Sequence, residues 1–325
     1  MRRWTCFSML LLGLVISACE NSTAPPGVSL NDAIVTRDGG AVKAHVDAGT
    51  DVNAADANGI TPMIAAVASG QRDVVQLLLS AGADINVRGP EDRTALIYAI
   101  QAEQPEMALF LVEQKGIDLE ARESHGSTPL VEAIAFHQMK VVEALLERGT
   151  DINAPGPVGR TALHVEASNL DPKMIKWLLQ HGANPDARDE DGATPLHLAA
   201  LFPAPADSFE GRDVQNALHL VLEATSDMNA ANNTGQTPLH IAALWADPWL
   251  IKALLDAGAD PLAMDRAGYS PVCYSSGGEH ARVRTPAEVL AIIAVFRKTS
   301  FTDESIIDKH GTTLKTFQDR VHDQS

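Results

Sequence analysis

Three cysteines in 325 residues are too few for a disulfide framework, and two of them, Cys6 and Cys19, fall within the first twenty positions. Aromatic residues make up only 5% of the chain, although 45% of it is hydrophobic. So much apolar content with so few large rings suits a stack of small-residue helices better than one large globular core. Basic residues are scarce too: 25 Lys and Arg stand against 42 Asp and Glu, for a formal charge of −17. Phosphate backbones need concentrated Lys and Arg, which argues against nucleic acid as a ligand. No H-E-x-x-H, C-x-x-C, phosphate-cradling glycine loop or nucleophile elbow occurs, and nothing in the sequence asks for a cofactor or a metal.

What is present begins with a leader. Residues 1–18 join a positive start, Arg2 and Arg3, to an apolar core from Phe7 to Ile16, too short for the roughly 20 residues of a membrane-spanning helix. The segment Ile16-Ser17-Ala18-Cys19 resembles the lipobox of bacterial lipoproteins, and that resemblance implies cleavage before Cys19 and lipidation of its thiol. An ordinary secretory signal is the alternative. Several acyl chains, at about 0.8 kcal/mol per buried methylene, would anchor the chain stably. Residues 19–27 then read as a polar, proline-containing tether, of which the eight residues from Glu20 to Gly27 reach at most about 29 Å. Glu20 is not the aspartate that resembles an inner-membrane retention signal, which favours the outer membrane and leaves the inner one open. The expected location is the cell envelope, lipid-anchored and facing the periplasm.

The remainder, 28–325, is periodic. The stretch Asp189–Ala200 reads DEDGATPLHLAA, and GQTPLHIAA returns at Gly235–Ala243. Gly192 supplies the positive φ of a tight turn, Thr194 is an N-cap, and Pro195 stands at the first helical position, where its missing N–H is not needed. The place of Gly192 is held in turn by Gly59, Asp92, Gly126, Gly159, Gly192, Gly235, Gly268 and Gly311, in steps of 33, 34, 33, 33, 43, 33 and 43 residues. A second mark keeps phase with the first. It runs Gly49-Thr-Asp51, Gly82-Ala-Asp84, Gly116-Ile-Asp118, Gly149-Thr-Asp151, Gly182-Ala-Asn184 and Gly258-Ala-Asp260, each glycine closing a helix in the left-handed conformation.

These residues resemble the ankyrin repeat, with its T-P-L-H-x-A signature and period of about 33 residues. The resemblance implies an all-α solenoid of helix-turn-helix repeats with short β-hairpin-like fingers, here seven to eight repeats and a C-terminal half-repeat cap. The first repeat, with Asn31, Asp32, Arg37, Lys43 and His45, reads as the N-terminal cap, and Asp308–Leu314 echoes a repeat start at the far end. Insertions near 201–213 and 275–286 account for the two longer steps. Val74–Leu78, Val141–Leu145 and Met174–Leu178 are matching apolar runs of the second helices, which places Trp177 in the core. Thr225 stands where other repeats close with glycine, a costly choice if the backbone there is left-handed.

The resemblance also implies function. In the family, the signature imidazole, here His164, His197 and His240, hydrogen-bonds backbone in the adjoining turns. Asp51, Asp84, Asp118, Asp151 and Asp260 recur with the repeat and are expected to be turn residues rather than a catalytic pair. Cys273 with His280 resembles a nucleophile and base, but a small buried residue in a first helix is the plainer reading. The chain is therefore expected to be a non-enzymatic binding module for a protein partner, held on its concave face. A sharper form is an immunity-type inhibitor of an exported toxic enzyme, and the competing class is an enzyme with a site built from the two insertions. Family members vary the residues just after the first-helix signature. The eighth residue after Thr128, Thr161, Thr194 and Thr237 is Phe136, Asn169, Phe202 and Trp245, with Leu201 and Leu244 just before the last two. Three aromatics at one equivalent place, in a chain poor in aromatics, are the expected contact residues. The alternative has them filling gaps between helices.

Overall fold

A computed structural model describes residues 27–201, 209–245, 247–275 and 294–296. The leader, Cys19, the tether up to residue 26, Phe202, most of the two insertions, His280 and the C-terminal cap lie outside the described residues. The chain divides into two compact units, Met1–Asp151 and Ile152–Ser325, although the repeat period runs through the division unaltered.

The first unit holds four helix pairs: α1 (Leu30–Val35) with α2 (Gly39–Asp47), α3 (Pro62–Ala68) with α4 (Arg72–Ser80), α5 (Ala95–Gln101) with α6 (Pro105–Val112), and α7 (Pro129–Ala135) with α8 (Met139–Glu147). The second unit holds α9 (Ala162–Asn169) with α10 (Pro172–Gln180), α11 (Pro195–Ala199) with α12 (Phe209–Ala224), α13 (Pro238–Trp245) with α14 (Pro248–Asp256), and α15 (Pro271–Ser275). Within each unit a helix packs on its own partner and on the corresponding helix of the next pair. Sequence explains where these helices start. Thr61, Thr94 and Thr128 are N-caps in extended backbone, and their hydroxyls accept from Ile64, Ile97 and Val131 N–H. Pro62, Pro129 and Pro195 follow three of the signature caps at the first helical position.

Second helices solve their ends differently. Gln71 and Gln138 cap no amide of their own helices. Their side-chain nitrogens instead donate to carbonyls one repeat back, Gln71 to Ile34 O at 2.7 Å and Gln138 to Ile100 O at 2.6 Å. These helix-end carbonyls also accept from Arg37 N and Glu103 N of their own closing turns, and the added bond from each glutamine ties a repeat to its predecessor. The helix-closing glycines Gly49, Gly82, Gly116, Gly149, Gly182 and Gly258 all have φ between +73° and +95°. Thr225 departs from them. It is absent from the left-handed residues, its backbone N–H donates to Val221 O at 3.0 Å, and its hydroxyl donates to the same carbonyl at 2.8 Å. The cost anticipated for a left-handed threonine therefore does not arise.

The core of each unit is aliphatic. Ile64, Leu78, Ile97 and Leu145 are fully buried in the first, and Ile175, Leu178, Leu218 and Leu250 in the second. Trp177 is a correction to the expected core: it is half-buried on α10, with its ring stacked on His181 at a centroid distance of 3.9 Å. Leu77 and Ala144, its counterparts in the matching runs, are half-buried too, so the place itself lies at the edge of the core, and the ring stacks on a flat polar neighbour there.

Candidate protein-interaction surface

The fingers between helix pairs are polar turns. Among the described residues they form no strand and one isolated bridge, Arg88 to Thr94. Asp51, Asp84, Asp118 and Asp260 each accept the amide of the residue two positions on, at 2.8–3.0 Å. They are turn residues, as their recurrence suggests. The side chain between them carries the structure forward. Asn53 Oδ1 accepts from Asp84 N and its amide reaches Gly82 O, while Asn86 does the same for Asp118 N and Gly116 O. In the second unit Asn153 repeats both bonds with Asn184 N and Gly182 O, and Asn229 accepts from Asp260 N. A second row of bonds joins the finger tips. Glu91 O accepts from Ser124 N, Val158 O from Glu190 N, Asp191 O from Asn233 N, and Thr234 O from Arg266 N, all at 2.8–3.0 Å.

Below the tips stands the histidine series. Nδ1 of His164, His197 and His240 accepts the backbone N–H of Thr161, Thr194 and Thr237 at 3.1–3.2 Å. Nε2 then carries the proton and donates to Ala193 O, Gln236 O and Tyr269 O, each at 3.0 Å. Burial holds all three below the ordinary histidine range, His197 at about 4, so the rings are neutral near pH 7. A neutral imidazole with both nitrogens occupied is a structural strut, not a base. Cys273 is buried in α15, 3.6 Å from Ser270 Oγ.

Glu91, Glu123 and His125 bring one ligand-type atom each within 4.8 Å of one another. Glu123 already accepts from His125 N and Ser127 N and pairs with the His125 ring, and Glu91 pairs with Arg93. This set serves its turns. Among the described residues no helix is long and apolar enough to cross a membrane.

Of the expected contact residues, Phe136 caps α7 and is 38% exposed, and Trp245 ends α13 at 41% exposed. Asn169, at the equivalent place on α9, is exposed. Leu201 and Leu244 are half-buried, and Phe202 lies outside the described residues. Phe136 belongs to the first unit, and Leu201, Leu244 and Trp245 to the second. Sequence reasoning missed the exposed apolar side chains of the fingers, Val158, Leu262 and Met264. Their signal was available: Leu262 stands where the forward-reaching asparagines stand, and Met264 where Arg88 and Arg188 do. Those arginines donate onward to Arg122 O and Ala231 O.

Residues 31–123 and 88–156 match the model for ankyrin repeats in three copies, 171–202 that for many copies, and 234–263 that for the single ankyrin repeat. This chain is an ankyrin-repeat protein. An ankyrin repeat-containing protein of Schizosaccharomyces pombe is 38% identical over 82 residues, which are 25% of this ankyrin chain and 38% of that protein. Human Rabankyrin-5 is 35% identical over 91 residues, 28% of this chain and 8% of the relative. The chain thus spans well under half the length of either. Among solved structures, the ankyrin repeat domain of Bcl-3, a member of the IkappaB family, aligns with a TM-score of 0.60 and 29% identity, over 71% of this chain and all of that domain.

Proposed function

We propose that this ankyrin-repeat chain is a non-enzymatic, membrane-tethered module that binds a protein partner in the bacterial cell envelope. The observation that carries the binding role is the aromatic at one repeat-equivalent place. Phe136 and Trp245 both end a first helix, and both are more than a third exposed in an aliphatic array. Rigid, partly exposed rings are the usual anchors of protein interfaces. The formal charge of −17 favours a basic partner surface, with association that slows as salt is added.

Alanine substitution of Phe136 and Trp245 tests the reading. Partner capture from envelope extracts should weaken by about 1–4 kcal/mol per anchor, with little change in melting. A loss of about 3–5 kcal/mol in stability, with affinity per folded molecule unchanged, would make the rings core and move the partner elsewhere.

The tether rests on Ile16-Ser17-Ala18-Cys19 directly after an apolar core of signal length. Fatty-acid labelling should mark the wild-type chain, whose mature form begins at Cys19. Cys19→Ser should abolish the label and release exported protein into the soluble fraction. A mature chain beginning elsewhere, without lipid, refutes the anchor.

A further inference from the structure

Six first helices in this chain open on the signature threonine, at positions 61, 94, 128, 161, 194 and 237. Five residues after it, five of the six carry alanine: Ala66, Ala99, Ala133, Ala199 and Ala242, all fully buried. The remaining place holds Glu166, which is equally buried. Asn169 Nδ2 reaches Glu166 Oε1 at 3.4 Å, and Glu166 Oε2 has no hydrogen-bond partner. A carboxylate with an unmet oxygen in a place built for a methyl group is poorly tolerated, whereas a neutral carboxyl costs far less there.

Among the described residues of the second unit no counter-charge faces it. On α9 itself His164 is engaged by Thr161 and Ala193, and Asp171 at the α9–α10 corner carries the same sign as Glu166. The cations of α10, Lys173 and Lys176, are exposed, as is His181 at its end. On α11 His197 is neutral and held by Thr194 and Gln236. On α12, from Asp213 onward, the ionisable groups Asp213, His219 and Glu223 are exposed, the last two paired with each other.

We propose that Glu166 makes the packing of the second unit proton-dependent: neutral, it fills the alanine place between helices, and ionised, it is drawn to water and loosens α9 from its neighbours. Burial pushes the carboxyl up to about 7, opposed by the Asn169 bond and reinforced by Asp171. An acid raised in the folded state binds more protons folded than unfolded. Its neutral form therefore supports the fold fully at acid pH, and that support is lost as pH rises from the ordinary carboxylate range through about 7. The buried histidines have the opposite sign and act over the acid side of the same window, so the wild-type profile alone mixes the two.

Native-state hydrogen exchange separates them. Amide protection in α9 is read at about pH 5.5 and about pH 8.5 in the wild type and in Glu166→Gln, an isostere that keeps the histidines and cannot ionise. The wild-type protection, taken as a ratio to that of Glu166→Gln, should fall roughly tenfold or more between the two conditions. Glu166→Ala, which restores the residue of the other five repeats and likewise keeps the histidines, should give the same fall in the ratio when it replaces Glu166→Gln as the reference. Infrared spectroscopy of the wild type should show a protonated carboxyl at the lower pH that Glu166→Gln lacks. A ratio constant across pH, or a carboxyl already ionised at the lower pH, overturns the proposal. So would failure of both variants to fold, because the carboxyl would then be a requirement of the fold rather than a burden on it.

Discussion

Gly235→Ala is expected to destabilise the second unit by about 2–5 kcal/mol, whereas Gly258→Ala should cost only about 1–2 kcal/mol. Both glycines are left-handed, with φ of +82° and +95°. The left-handed region costs an L residue about 1–2 kcal/mol, and that is the whole effect at Gly258, where an added Cβ meets nothing within 4 Å. At Gly235 the same Cβ would lie 2.5 Å from the backbone nitrogen of Arg266 and 3.0 Å from the carbonyl carbon of Asp265. Backbone cannot swing aside as a side chain does. Moving it would strain or break the 3.0 Å bond from Arg266 N to Thr234 O, which adds about 1–3 kcal/mol of overpacking and bond loss. Urea unfolding of the two variants beside the wild type checks this. Equal destabilisation would mean that the fingers do not hold the close approach described here.

The second large effect belongs to His197, which is 2% exposed and joins its own helix cap to the next finger. His197→Ala leaves a ring-sized void and removes the donor to Gln236 O, at a cost of about 3 kcal/mol near neutral pH. The pH dependence gives the stricter test. Burial holds the folded ring at about 4, against an ordinary 6.5, so the unfolded chain takes up a proton first as acid is added. Wild-type stability should be undiminished by this group above about pH 6.5 and should fall between about 6.5 and 4. The variant lacks that loss. The gap between the two, measured by denaturant titration at a series of pH values, should therefore narrow toward pH 4. A gap that is flat or widens in acid would mean that the buried ring is already charged.

The architecture was legible because each repeat writes its own boundaries. Thr-Pro at Thr128-Pro129 and the glycine at Gly149 are local instructions, a cap and a left-handed stop, and neither needs distant residues to be read. Trp177 and Glu166 were not legible, because the first stands at a place that is half-buried in the matching runs as well and the second depends on the volume left by neighbouring helices. Apolar spacing placed the tryptophan on the inward face without separating the centre of that face from its edge, and a lone glutamate in a helix reads as a solvated residue. Only comparison with the alanines of the other repeats marks Glu166 as out of place. Counting from the signature threonine leads to the exposed rings of Phe136 and Trp245, while Leu262 and Met264 were passed over because turns are read for their polar residues.

One set of the bonds between fingers runs in a single direction. Asn53, Asn86, Asn153 and Asn229 each accept from an amide about 31 residues later in the chain, and the tip carbonyls of Glu91, Val158, Asp191 and Thr234 accept from amides of the following finger. Each finished finger thus exposes acceptors that its successor meets as it emerges, much as a crystal face receives its next layer. During synthesis, each of these acceptors is already made when its donor emerges, and none of these pairs has to wait for the C-terminal end. Leu262, at the equivalent place in the next finger, has no side-chain acceptor to present.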